Sequence, residues 1–482
     1  MHIKEHQDII GQIENEMDQA IDEATWGKPA SDIITRIESM ENAKPARAIW
    51  EMVQNARDVS KDTGADIEFS LNDDEFVFQH NGLPFTATSL HALNIQTSSK
   101  VRDGIVQVGQ YGTGFLTTHK FGLKFNLTGS LELCDGSKYL DFDRLPFDRS
   151  PRDKKSMIDN LKSQLVNIKQ MSTDPDNVKN FKNTPREFTI FRYHQEHDIE
   201  RERAREAFEE APNLTPHVLA LNELISSIRY SDETTGKESS YTRRSRKVLE
   251  GNSLYTFSMV ESHISRNYDD GKIPSREYDY QIYMLESAKK DERTESSTVT
   301  VILPLLKETI EGVERVRAFR FRPDKPNFFI YLPLLGTENY GVNFIFHSPA
   351  FTCADESRSS LRFVGNGQNN DYQADLNREI IRLGEEMIFS FIGTHLDKFA
   401  DRKMFSFVNI NTQDGNQKLS DFLKEKKNLW VDKMNGYDLV RSSSEDGGYV
   451  KPSSIFGLSR EMIDEGYRNS LFLDAVYGML MT

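Results

Sequence analysis

Two stretches hold side chains whose types and spacing could do chemistry. EMVQNARD, Glu51 to Asp58, carries a carboxylate at Glu51, an amide at Asn55 and a second carboxylate at Asp58. At about 3.6 residues per turn these three share one helix face, leaving Ile49, Val53 and Ala56 for the other. A neutral oxygen from Asn55 suits magnesium, and Glu51 can orient or deprotonate an attacking water. GQYGTGFLTTHKFG, Gly109 to Gly122, places Gly109, Gly112 and Gly114 just ahead of a helical pattern. Glycine permits close backbone approach, and a glycine turn entering a helix points free N–H groups at an anion. Taken alone, each stretch reads first as ordinary structure: a polar helix face and a tight turn.

The elements that must position these groups lie around them. A helix is expected from Pro45 to about Ser60, with proline in its first turn where the missing donor costs nothing. ADIEFSL alternates Ile67, Phe69 and Leu71, and after Asn72-Asp73-Asp74 EFVFQ alternates Phe76 and Phe78, which predicts a β-hairpin. A loop from about Thr86 to Gly109 leads into the glycines. Helical spacing also marks residues 1 to about 25. Strands are expected at KFNLTGSLEL, KYLDFD and REFTIFRYH, a charged helical insertion over about 150–182, and an exposed helix at HDIERERAREAFEEAPN. RRSRK, Arg243 to Lys247, reads as a solvated helix start or loop. SLYTFSMV, YDYQIYML, STVTVILPL, PNFFIYLPL and YGVNFIFHS form a second strand-rich region, followed by the helical REIIRLGEEMIFSFIGTHL. The organisation expected is α+β, with domains over 1–235 and 236–400 and a mixed helical segment over 401–482.

Composition narrows the class. The chain has 482 residues, 75 acidic against 60 basic, and a formal charge of -15. Such a surface does not favour indiscriminate nucleic-acid binding, although a local basic groove stays open. Two cysteines, Cys134 and Cys353, give neither a disulfide framework nor a zinc spacing, which fits a reducing cytosol. The N-terminus lacks the apolar core of a signal peptide, and no run approaches the ~20 apolar residues of a membrane span.

The order of parts is what joins the two stretches. Glu-x-x-x-Asn on a helix, then a hairpin ending in HNGLPF, a loop, and GQYGTGF resembles the GHKL superfamily of ATPases. That superfamily includes gyrase, the ninety-kilodalton heat-shock chaperone, histidine kinases and the MutL mismatch-repair proteins. The resemblance by motif covers about residues 45 to 125. GQYGTGF looks like the chaperone branch, and HNGLPF, with FFIYLPLLGTENYGVNFIFHSPAFTCADESRSSL, looks sacsin-like.

The resemblance implies a Bergerat-type α/β sandwich followed by an α+β transducer domain, and magnesium-dependent ATP hydrolysis. In it Glu51 activates water, Asn55 holds Mg2+, and Asp58 lines the nucleotide site. Gly109, Gln110, Tyr111, Gly112, Thr113, Gly114 and Phe115 clamp the phosphates under a lid of about 86–108, to which Thr97, Ser98 and Lys100 add contacts. His80 stands where the superfamily has the aspartate that accepts from the adenine amino group, and Pro84 replaces a glycine, which puts base specificity in doubt. Neutral imidazole can accept one hydrogen bond there. Asn81 and Gly82 match the box, and Thr189 corresponds to a late-strand threonine that helps hold the adenine-binding aspartate or a water. Arg358, with Arg362 second, is the candidate for reaching the terminal phosphate from the second domain. A homodimer and a protein client or partner subunit are implied, with a role in bacterial antiviral defence or stress by analogy. Alternatives are a nucleotide-sensing module without turnover and a DNA-acting ATPase of the MutL or topoisomerase kind. A histidine kinase is disfavoured because no phosphoacceptor-type histidine motif occurs.

Overall fold

Regular apolar alternation and helical stripes give an ordered succession of elements in the computed structural model, which describes residues 2–39, 41–95, 114–133, 136–173, 181–269, 275–287, 298–310, 313–354, 359–364, 371–413, 416–442 and 448–454. First come α1 (His2–Ser39), α2 (Ala46–Asp58), β1 (Ala65–Leu71), β2 (Glu75–His80), α3 (Ala87–Ile95) and a 3₁₀-helix (Gly114–Phe121). Then follow β3 (Lys124–Glu132), β4 (Tyr139–Asp148), α4 (Lys154–Thr173), β5 (Phe181–Lys182), β6 (Thr189–His194), α5 (Asp198–Glu210) and α6 (Thr215–Leu221). Next are β7 (Ile225–Asp232), β8 (Lys237–Gly251), β9 (Tyr255–Arg266), β10 (Arg276–Ser287), β11 (Thr300–Ile302), β12 (Leu305–Ile310) and β13 (Val313–Ala318). The last are β14 (Phe328–Ile330), β15 (Leu332–Pro333), β16 (Ile345–His347), α7 (Tyr372–His395), α8 (Gln417–Asn435), β17 (Val440–Arg441) and β18 (Tyr449–Val450). The chain is thus mixed α and β with one large mixed sheet.

Two compact units divide it: residues 1–303, 321–340 and 344–387 form the first, and 304–320, 341–343 and 388–482 the second. The turn between β7 and β8, where the first domain boundary was expected, lies inside the first unit.

Among the described residues of the first unit, the strands form a 14-stranded sheet in the order β15-β14-β16-β11-β10-β9-β8-β7-β1-β2-β6-β3-β4-β5. β1 pairs antiparallel with β2, as the hairpin pattern predicts, and parallel with β7. Asn72 closes the hairpin by accepting the Asp74 and Glu75 N–H groups at 2.9 and 2.8 Å. The inward side chains build an aromatic core: Phe69 stacks on Phe78 and Tyr230, and Phe76 on Phe121 at 4.1 Å. Ile49, Val53 and Ala56 of α2 are fully buried, so the opposite stripe of that helix is the one left for chemistry. The 3₁₀-helix is fixed by a second cluster, in which Leu116 packs with Ile33 and Ile37 of α1 and Met157 and Leu161 of α4.

In the second unit, β12 pairs with β13. Trp430 of α8 is fully buried against Phe389, and the Asn343 amide donates to the Phe319 and Met404 carbonyls.

Three expectations are corrected here. The loop expected from Thr86 begins as a helix, α3, because Thr86 and Ser89 cap it reciprocally, each accepting the other's backbone N–H, and Leu90 buries fully. The helix at the N-terminus extends to Ser39 rather than to about residue 25, since Ala30, Ile33 and Ile37 continue its apolar stripe into the core. Arg243 to Lys247 lies in strand β8, not in a loop or helix start. Arg243 pairs with Glu223, Arg244 with Asp279, and Arg246 with both Glu223 and Glu286.

Candidate functional site

The polar stripe of α2 is half sunk into the first unit. Glu51 is 8 % and Asp58 9 % exposed, whereas Asn55 between them is half-buried. The Glu51 carboxylate faces Arg47, one helical turn back, with Nε to Oε1 at 3.6 Å. Asp58 is 3.4 Å from the Arg57 guanidinium. Arg57 in turn lies 4.1 Å over the ring of Tyr331, a non-glycine residue held at φ 61°. That backbone conformation is costly for tyrosine and persists because its N–H donates to His347 Nδ1 and its carbonyl accepts from Asn222. The Asn55 amide bonds to no described residue, which makes it the group on this face with an oxygen to offer a cation. Among the described residues no group of three or more His, Cys, Asp or Glu side chains could cage a metal by itself.

The end of β2 comes next to α2 through its loop. The Leu83 N–H donates to the carbonyl of Val59, the residue that ends α2. Gly82 is needed at this contact: a Cβ there would sit 2.7 Å from Val59 Cγ2 and 2.9 Å from His80 Nδ1. Asn81 binds Asp66 with both side-chain atoms, accepting its N–H and donating to its carboxylate at 2.8 Å each. Asn81 therefore holds the loop to β1.

His80 is buried, and burial, followed by the charge of Lys61, pushes its imidazole down to about 4. Its Nδ1 accepts the Gly82 N–H at 3.1 Å. A neutral ring with Nδ1 accepting carries its proton on Nε2. This corrects the expectation that His80 can accept a hydrogen bond from a base: its acceptor is taken by the backbone, and what remains is a donor. Thr189 is directly opposite His80 in the β2–β6 register, and both are buried.

The chain becomes helical at Gly114, and Phe115 packs its ring against Phe125 and Phe191. Tyr193 donates to Thr118, and Lys120 reaches the Glu41 carbonyl at 2.7 Å just before α2. Burial, then the charge of Arg203, pushes the Lys120 amine down to about 8. The C-terminal carbonyls of α3 are held by Arg149, which is fully buried and donates to Asn94 O and Gln164 Oε1 at 2.7 Å each. Lys100, Gly109, Gln110, Tyr111, Gly112, Thr113 and Arg358 lie outside the described residues, as do Thr97 and Ser98. Arg362, the second choice, pairs with Asp371 at 3.3 Å.

The structure thus brings Glu51, Asn55 and Asp58 onto one face, and joins that helix to the loop carrying His80, Asn81 and Gly82. Sequence reasoning missed Arg47, although its four-residue spacing from Glu51 was there to read. It also missed Lys120 and Arg149, whose partners are distant in sequence. No protein-family model matches the chain, and no curated protein matches it either. Among the described residues no helix is long and apolar enough to cross a membrane.

Proposed function

We propose that this chain is a magnesium-dependent ATP-binding and ATP-hydrolysing switch of the GHKL type, with a Bergerat-type domain at its N-terminal end and a transducer-like α+β region after it. The observation that carries this reading is the α2 face: a buried carboxylate at Glu51 one turn from the half-buried amide of Asn55, which is unengaged among the described residues. Asn55 would hold Mg2+ through its side-chain oxygen. The ion, when bound, supplies charge neutralisation on the phosphates. Glu51 takes the proton of the attacking water, and Arg47 lies beside it, Nε to Oε1 at 3.6 Å. Thr189, opposite His80, lines the base end. The output is conformational, through a homodimer or a protein client, in the manner of the chaperone and sacsin-like proteins that the motifs resemble.

A second reading, a nucleotide sensor without turnover, draws on the same ion pair. Glu51 is already engaged with Arg47 of its own helix, Nε to Oε1 at 3.6 Å, as a structural contact would be. Calorimetric titration with a non-hydrolysable ATP analogue tests what both readings share. Binding should require magnesium and should be lost in Asn55→Ala; a chain that takes up no nucleotide with or without magnesium rules out both.

A further inference from the structure

A second basic centre lies in the first unit, built on residues not assigned above. Lys325, in the turn before β14, is half-buried, and its Nζ is 3.1 Å from Nε2 of His217 on α6. The Phe321 ring walls the pair, 4.9 Å from Nζ and edge-on to the imidazole. No carboxylate among the described residues is ion-paired to this amine. Asp324, the adjacent acid, is clamped by Arg322 through two contacts, Nε to Oδ1 and Nη2 to Oδ2. Around Asp324 lie Lys44, Glu210 and Glu338, of which Lys44 and Glu338 pair at 2.9 Å.

The hydrogen-bond pattern bears on where the protons sit. His217 is 2 % exposed, and its Nδ1 has no hydrogen-bond partner among the described residues. A buried N–H lacking an acceptor is the rarer kind of orphan, so the bare lone pair belongs on Nδ1 and the proton on Nε2. Nε2–H then points at Lys325 and needs a lone pair there. Only an uncharged amine has one. Burial, with Arg322 next, acts in the same direction and pushes the amine down to about 7, while Asp324 opposes. His217 is driven well below its ordinary value by burial and then by Lys325, so the pair holds no second proton easily.

We propose that Lys325 is a nucleophilic amine, held by His217, that accepts acyl groups from activated carbonyl donors such as acyl phosphates and acyl thioesters. The Nζ lone pair attacks the carbonyl carbon and forms the N–C bond. The bond from that carbon to the phosphate oxygen or the thioester sulfur breaks with its electron pair, and the proton shed by nitrogen leaves with the departing group. His217 is a positioning residue: it touches the amine, not the donor. A neutral amine is the reactive form, and ordinary lysines present little of it near neutrality.

The test treats the full chain at pH 7.5 with acetyl phosphate in one arm and acetyl-coenzyme A in the other, and follows each lysine by peptide mass spectrometry. Lys325 should be acetylated at least about tenfold faster than the median lysine in one arm or both, and the faster arm names the donor class. Its rate should level off above about pH 7 to 8, while the other lysines continue to rise toward pH 10. His217→Gln should slow Lys325 alone. If that variant does not fold, the wild-type rate and pH profile decide by themselves. Labelling of Lys325 at or below the median rate in both arms, or a rate climbing through pH 10 like the rest, overturns the proposal.

Discussion

The α2 face and the His80–Gly82 loop are carried by the same resemblance, yet they use their polar groups in opposite ways. On α2 the Asn55 amide is unengaged among the described residues, and Glu51 meets one cation at 3.6 Å. In the loop Asn81 has both side-chain atoms on Asp66, and His80 has its acceptor on the Gly82 N–H. Both regions are legible as one motif, but only the first leaves an oxygen for a cation, and the second leaves at most the His80 Nε2–H donor. A motif match therefore does not separate side chains that face a ligand from those that hold the fold; their hydrogen-bond partners do.

Acid should have the largest effect, and it acts through buried imidazoles, of which the loop holds one, His80, and α2 none. His80 is pushed down to about 4 by burial, and His347 to about 4 and His119 to about 3 by the same cause. In each the folded value lies below the ordinary one, so as pH falls the unfolded chain takes up these protons first. The stability they contribute is complete above pH 6.5 and is lost on the descent toward 4. By pH 5 the loss should be on the order of 1–2 kcal/mol per histidine. Urea unfolding at pH 7.5 and pH 5 checks this, and a flat result would mean that the imidazoles are not buried neutral.

A smaller effect should split the two asparagines. Asn81→Ala removes the bonds to Asp66 and should cost about 1 kcal/mol of unfolding free energy while leaving affinity for an ATP analogue within about threefold. Asn55→Ala should do the reverse, because it gives up no described hydrogen bond. Equal effects of both variants on stability would break the comparison. The smallest effect concerns the base. With Nε2–H rather than a carboxylate at position 80, the amino group of adenine meets no acceptor from this side chain. ATP and inosine triphosphate should therefore compete within about tenfold of each other, less than one good hydrogen bond to a charged group would separate them. A preference for ATP beyond about a hundredfold would place base reading on another residue.

The legible parts were those in which chemistry and period are both local. The α2 stripe, the β1–β2 hairpin and strands β9, β10, β11, β14 and β16 follow from spacing within a dozen residues, whereas β13, β17 and β18 gave no such signal. Helix α3 escaped because Leu90, Leu93 and Ile95 make no clear stripe, and because its end is held by Arg149 from beyond β4. Arg243 to Lys247 escaped because a charge run carries no strand signal, and its carboxylate partners come from Glu223, Asp279 and Glu286. The tautomer of His80 depends on one turn of backbone after β2, which no spacing rule reads. The Lys325–His217 pair joins the turn before β14 to α6, and nothing near either residue in sequence announces it.

Glu51 is proposed to serve a reaction and not only a fold. Phosphate release from ATP, measured with magnesium for the wild-type chain and Glu51→Ala side by side, tests it most directly. Slow release by the wild type is expected, with a fall of about 10²- to 10⁴-fold in the variant and analogue binding retained. Equal rates in the two proteins, at any speed, would contradict it.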